Sequence, residues 1–161
     1  MTSQVLTTQV SAETTITAWS RLLRGHQALT RELNARLIAE HGLTMSDYEA
    51  LLHLSHAEHC SMRRVDLAER MLLSPSGITR LLDGLEREGW VAKGACSSDA
   101  RVTYAVLTDE GRERFETAAQ SHLGQVRAAL EAVFSPHELE TLAELLGRLP
   151  GGTGDGSSCS P

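Results

Sequence analysis

The sequence predicts a mainly α-helical chain carrying one small β-hairpin, and three observations lead there. Apolar residues recur at three- and four-residue steps along most of the 161 residues. Ser or Thr stands at the start of several of these stretches, and Gly follows two of them, as helix starts and stops require. One short run, Arg101 to Leu107, instead alternates: Val102, Tyr104 and Val106 against Arg101, Thr103 and Ala105, the period of a strand. Hydrophobic residues make up 41% of the chain but aromatics only 4%, so Leu, Val and Ala must fill the core.

The elements follow in order. Residues 12–40 read as one long helix, with Ile16, Trp19, Leu22, Leu23, His26, Leu29, Leu33 and Leu37 on one stripe and Gly42 as its stop. That stripe is longer than a small globular helix needs, and a long apolar terminal helix often packs against its own copy. Thr44 or Ser46 caps a second helix, with Tyr48, Leu51, Leu52 and Leu54 inward. Ser61 caps a short third helix that turns Met62, Leu67, Ala68 and Met71 inward. Ser74-Pro75 opens a fourth, since Ser suits the cap and Pro the first turn. Ile78, Leu81, Leu82 and Leu85 form its buried stripe, and Gly89 ends it. A strand from Trp90 to Lys93, a Gly/Ser-rich tip and the strand from Arg101 make the hairpin. Thr108 caps another long helix running through Phe115, Leu123, Val126, Leu130 and Val133. Ser135-Pro136-His137-Glu138 has the capping-box pattern and opens a last helix with Leu139, Leu142, Leu145, Leu146 and Leu149. The Gly/Ser-rich end, 150–161, reads as a disordered tail.

The net charge of −6 argues at first against a nucleic-acid partner. Its distribution removes the objection: residues 1–60 carry −2, residues 61–107 carry +1 and residues 108–161 carry −5. No apolar run approaches the roughly 20 residues of a membrane span. No secretory leader pattern opens the chain, so a cytoplasmic protein without a membrane partner is expected. Cys60, Cys96 and Cys159 are odd in number and widely spaced, and suggest neither a disulfide framework nor a CxxC site. There is no nucleophile elbow, phosphate-cradling Gly loop or HExxH, so an enzyme is not expected, nor is a cofactor.

A short helix, a tight turn at "LLSPS", a second helix and a hairpin form, in that order, a winged helix-turn-helix. The second helix, 74–88, would lie in a DNA major groove, N-terminal end first. Its buried stripe leaves Ser76, Thr79, Arg80 and Asp83 facing outward. Hydroxyls can bond bases or phosphates, Arg can bridge a guanine edge, and the Ser74-capped helix start suits a phosphate. At the hairpin tip, Asp99 is placed to aim Arg101, and Arg suits a narrow minor groove. Lys93 in the ribbon and Arg64 at the start of the short helix complete the expected DNA-facing set. A solvated polar face and a local ion pair are the plain alternatives.

The stretches "LTMSDYEALLHL", "RVDLAERMLLSPSGITRLLDGLEREGWV" and "SSDARVTYAVLTDEGRE" resemble the MarR-type transcriptional regulators, over about Leu43 to Glu113. The Asp-x-Arg wing followed by Leu-Thr-x-x-Gly is the more specific part. The resemblance implies a homodimer built by an N-terminal helix (1–42) and C-terminal helices (108–149), flanking a DNA-binding domain (43–107). It implies a pseudo-palindromic operator in double-stranded DNA and usually repression. Release is expected from a small phenolic or anionic ligand, or from cysteine oxidation. The family's recognition positions fall on Ser74, Ser76, Thr79 and Arg80, and its wing pair on Asp99 and Arg101. This wing departs from the pattern in having few bases.

Three triggers compete. Trp19, His26 and His53 offer an aromatic wall and polar groups for a small effector. Cys60 stands just before the short third helix, whose dipole would lower its pKa, with Arg63 and Arg64 close in sequence. His53, His56, His59 and Cys60 have zinc-ligand chemistry, but His59 falls about 200° around a helix from His53, and no metal site is expected. The rival to a DNA-binding regulator is an interaction module that kept the fold and lost DNA binding.

Overall fold

The computed structural model describes residues 11–95 and 103–150. The chain divides into two compact units between Glu32 and Leu33. The first holds the greater part of α1 (Ala12–His41), where Trp19 is 63% exposed and Ile16, Leu22 and Leu23 are exposed beside it. Along the whole of α1 only Leu37 is buried.

The second unit begins with the last turns of α1. Gly42, at φ +65°, makes the reversal into α2 (Met45–Ser55). Thr44 caps α2 with a full capping box: its hydroxyl accepts from the Asp47 amide, and the Asp47 carboxylate accepts from the Thr44 amide at 2.8 Å. The Met45 amide donates to the side-chain oxygen of Asn34, tying α2 to α1. A 3-10 turn, Glu58–Cys60, then leads into β1 (Ser61–Arg63), with His59 and Cys60 both at φ 52°.

Here the sequence expectation needs correction. Ser61 does not cap the third helix; it pairs with Val106 in a strand. α3 (Arg64–Arg70) follows Arg63, which provides no side-chain cap. Antiparallel pairing with β3 engages the backbone of residues 61–63 and buries Met62, so the segment gains more as a strand than as a helix entry. α4 (Pro75–Arg87) starts at its Ser74 cap as expected. Gly89, at φ +80°, turns the chain into β2 (Val91–Ala95) and thence towards β3 (Thr103–Leu107). The sheet order is β1-β3-β2, antiparallel throughout, with Met62 and Lys93 both opposite Ala105. β2 begins one residue later and ends two residues later than expected, with the Trp90 carbonyl accepting from the Thr108 amide just outside the ladder.

The Leu-Thr-x-x-Gly motif has a steric origin. Thr108 caps α5 (Asp109–Glu131), accepting from the Gly111 amide at 3.0 Å and donating to the Gly89 carbonyl at 2.8 Å. This draws the first turn of α5 onto the Trp90 backbone so closely that a Cβ at Gly111 would lie 2.0 Å from the Trp90 carbonyl oxygen. Only glycine fits there.

α5 buries Gly111, Phe115, Ala118 and His122, a ladder facing α2. Tyr48 of α2 stands 5.4 Å from Phe115 and 4.6 Å from His122, ring centre to ring centre. Of the residues named from the sequence, only Phe115 belongs to this ladder; Leu123 is 69% exposed and Val133, beyond the helix end, 68%. α6 (Pro136–Leu146) has the predicted Ser135–Glu138 capping box but buries no residue. The core itself is leucine: Leu37, Leu43, Leu51, Leu54, Leu67, Leu82 and Leu85 are its fully buried large side chains. Each is worth about 1.5–3 kcal/mol of transfer free energy. The wing tip and residues 151–161, read from sequence as a tail, lie outside the described residues.

Candidate nucleic-acid interface

The turn between α3 and α4 is closed by backbone bonds from Met71 to Leu67 and from Leu73 to Ala68. Leu72 takes φ 53° to make it, and its side chain stands in solvent. The Ser74 hydroxyl accepts from the Gly77 amide at 3.2 Å and lies 3.2 Å from the Ser76 hydroxyl. Ser74, Pro75 and Ser76 are all exposed, so the start of α4 is open to a ligand. Ile78, Leu82 and Leu85 are buried against the core. Helical spacing then turns Ser76, Arg80 and Asp83 outward, and all three are exposed. Arg80 has no hydrogen-bond or ion-pair partner among the described residues, so its five guanidinium donors are free for an acceptor-rich surface.

The other expected contacts are arranged differently from one another. Arg63 is locked to Asp66 by two hydrogen bonds of 2.6 Å. That bond raises the Arg63 pKa and lowers that of the Asp66 carboxyl. Arg64 is half-buried and donates to the Thr79 hydroxyl at 2.9 Å. Lys93 is held by α4: its ammonium lies 2.8 Å from Glu86 and 3.9 Å from Asp83. The hydrogen bond that Lys93 donates to Glu86, and then the charge of that carboxylate, push the Lys93 pKa up. Lys93 therefore ties β2 to α4, a role sequence reading missed because Glu86 and Lys93 meet across elements with no local pattern to announce it. Asp99 and Arg101 lie outside the described residues.

The trigger residues are distributed over several elements. Trp19 and His26 are both exposed and, seven residues apart, share a face of α1. His53 is half-buried on α2, 4.0 Å from Glu49. Burial lowers its pKa, as do the charges of Arg70 and His56. Cys60 is not at a helix start, as the sequence suggested, because β1 intervenes before α3. Its sulfur instead accepts a 2.6 Å hydrogen bond from Arg112 of α5, fifty-two residues away, while Arg63 and Arg64 are engaged elsewhere. Among the described residues no three His, Cys, Asp or Glu side chains converge on a metal-sized site. Nor is any helix among them long and apolar enough to cross a membrane.

Comparison with known proteins agrees with this geometry. Residues 43–103 match the model of the MarR family. The chain is 32% identical over 111 residues to the HTH-type transcriptional repressor YetL of Bacillus subtilis, covering 69% of this chain and 66% of that one. Among solved structures it resembles AbsC, a MarR family regulator from Streptomyces coelicolor, at 34% identity and TM-score 0.76, covering 86% of this chain and 93% of that one. It also resembles Sco3205 of the same organism, solved in complex with DNA, at 28% identity and TM-score 0.77, with 85% of each chain covered. These relatives are transcriptional regulators. The chain belongs to the MarR family of DNA-binding transcriptional regulators.

Proposed function

We propose that this regulator is a homodimeric repressor that sits on a pseudo-palindromic operator and leaves it when a small aromatic or anionic effector binds. The observation that carries the DNA-reading part is the outer face of α4. Ser74, Ser76 and Arg80, which has no partner among the described residues, stand exposed at and after a capped helix start, while the opposite face is fixed in the core. α4 then enters the major groove, and Arg101, aimed by Asp99, enters the adjacent minor groove. Dimeric half-sites would lie about one helical turn apart, roughly 34–36 Å.

The exposed apolar residues of α1, α5 and α6 support the dimer, and the family resemblance supports repression and a ligand. Trp19, His26 and His53 are the residues assigned to the effector, with oxidation of the Cys60 thiol as the alternative trigger. A broad panel of aromatic acids should raise the melting temperature and weaken operator binding; no shift across the panel removes the effector reading. Peroxide that leaves operator binding unchanged removes the thiol reading.

Binding is tested by fluorescence anisotropy at fixed salt, on duplex DNA from the region upstream of the protein's own gene and on a scrambled duplex. Arg80→Ala and Arg101→Ala should each weaken the upstream complex by about 1–3 kcal/mol. The neutralisation of Lys93 by Glu86 and Asp83 favours one rival, an interaction module without DNA binding. That rival predicts no change in either variant and equal weak binding to both duplexes.

A further inference from the structure

Arg63 and Arg64 are adjacent in sequence, yet they are held in different ways. Arg63 is paired to a carboxylate, so its charge is compensated. Arg64 is held by a neutral group, the Thr79 hydroxyl, and has no carboxylate partner among the described residues. One of its five donors is spent there, and its positive charge is left uncompensated. Lys93, a further cation near this face, is already satisfied by Glu86.

The Thr79 hydroxyl is constrained in its turn. It has one hydrogen, and that hydrogen goes to the Pro75 carbonyl at 2.8 Å. One of its two lone pairs receives Arg64 at 2.9 Å. A hydroxyl so placed has nothing left to donate. It can bond neither a phosphate oxygen nor the guanine N7 and O6 edge, all of which are acceptors. Thr79 therefore differs from Ser74 and Ser76 on the same helix, although all three look alike in the sequence.

We infer that Thr79 is a positioning residue for Arg64, and that Arg64, at the first residue of α3, contacts a backbone phosphate of the bound DNA. This deepens the DNA-reading proposal and rests on it. In a helix-turn-helix the first helix crosses the sugar–phosphate backbone while the second reads bases. A guanidinium at the start of α3, anchored to the recognition helix by a single bond, presents its remaining donors where that backbone passes. Phosphate contacts give affinity without sequence information and set the salt dependence.

The test uses the full chain and four variants, Arg64→Ala, Thr79→Val, Thr79→Ser and the double variant Arg64→Ala/Thr79→Val. Anisotropy titrations run over a series of salt concentrations on the upstream and scrambled duplexes. Circular dichroism melts check that each variant folds. Arg64→Ala should weaken both duplexes by the same factor, roughly fivefold per protomer near 0.15 M salt. It should also lower the slope of log K against log salt by about 0.9 per protomer. Thr79→Val, which keeps the shape and loses the hydroxyl, should weaken both duplexes equally and add nothing in the Arg64→Ala background. Thr79→Ser should restore wild-type binding. A Thr79→Val loss confined to the upstream duplex, or one that persists undiminished without Arg64, would overturn the inference and return Thr79 to base reading. An unchanged salt slope in Arg64→Ala would remove the phosphate contact. Failure of the unmodified protein to distinguish the duplexes would instead overturn the DNA-reading proposal itself, a separate result.

Discussion

The region from Leu43 to Leu107 and the helices that follow it solve the problem of apolar surface in opposite ways. In the first, α2, α3, α4 and the sheet close on one another, and Leu51, Leu54, Leu67, Leu82 and Leu85 are fully buried within a single chain. In the second, the caps are as good and the helices as regular, yet Leu123, Val133, Leu145 and Leu149 remain exposed and α6 buries nothing. Well-capped helices with exposed apolar faces are complete as local structures and incomplete as packing. The lesson is that capping and periodicity specify a helix, whereas only a partner surface specifies what it is for. The dimer proposed above would cover these faces with a second copy.

Changes in the closed region should act on folding, and changes in the open region on assembly. The largest effect is expected at Gly111. A methyl placed 2.0 Å from the Trp90 carbonyl forces the start of α5 off the sheet, so Gly111→Ala should cost about 3 kcal/mol or more, read by urea denaturation. Leu82→Ala comes next, at about 2–5 kcal/mol, because the side chain is fully buried and its loss leaves a cavity in the core. Neither loss should depend on whether the protein is dilute. Leu145→Asp should behave in the opposite way. It should leave the far-ultraviolet circular dichroism of dilute protein unchanged, shift sedimentation towards monomer and weaken operator binding.

A pH effect should come from the joint between α2 and α5. His122 is 8% exposed, its Nδ1 has no hydrogen-bond partner among the described residues, and burial lowers its pKa. The unfolded chain therefore takes up a proton near pH 6.5 that the folded chain refuses. Stability should be level above about pH 7.5 and fall as the pH drops through the ordinary histidine range. His53, whose pKa is also lowered, contributes in the same sense. His122→Phe should flatten part of that decline in melts between pH 8 and 5.5. Ser74→Ala should be the smallest change, about 1 kcal/mol for the lost cap.

The sequence made α2, α4, α5 and α6 legible because each carries its own punctuation: Thr44, Ser74, Thr108 and Ser135 all cap where expected. It did not reveal β1, since three residues are too few to show a period of two, and Ser61 resembles a cap until Val106 is placed beside it. The inward face of α5 was misread for a related reason. Leu123 and Val133 are more hydrophobic than Ala118 and His122, but they face away from α2. At the interface, the exposed positions Ser76, Arg80 and Asp83 followed from the buried stripe of α4. The pairings of Arg64 with Thr79, Lys93 with Glu86 and Cys60 with Arg112 did not, because each joins elements with no shared local pattern.

The most direct test is sedimentation equilibrium of the unmodified protein, alone and with its upstream duplex, over a wide concentration range. The open faces of α5 and α6 predict a dimer alone and two protomers per duplex. A stable monomer that binds the duplex one to one with sequence preference would contradict the account, and would show that those faces serve something other than a second copy.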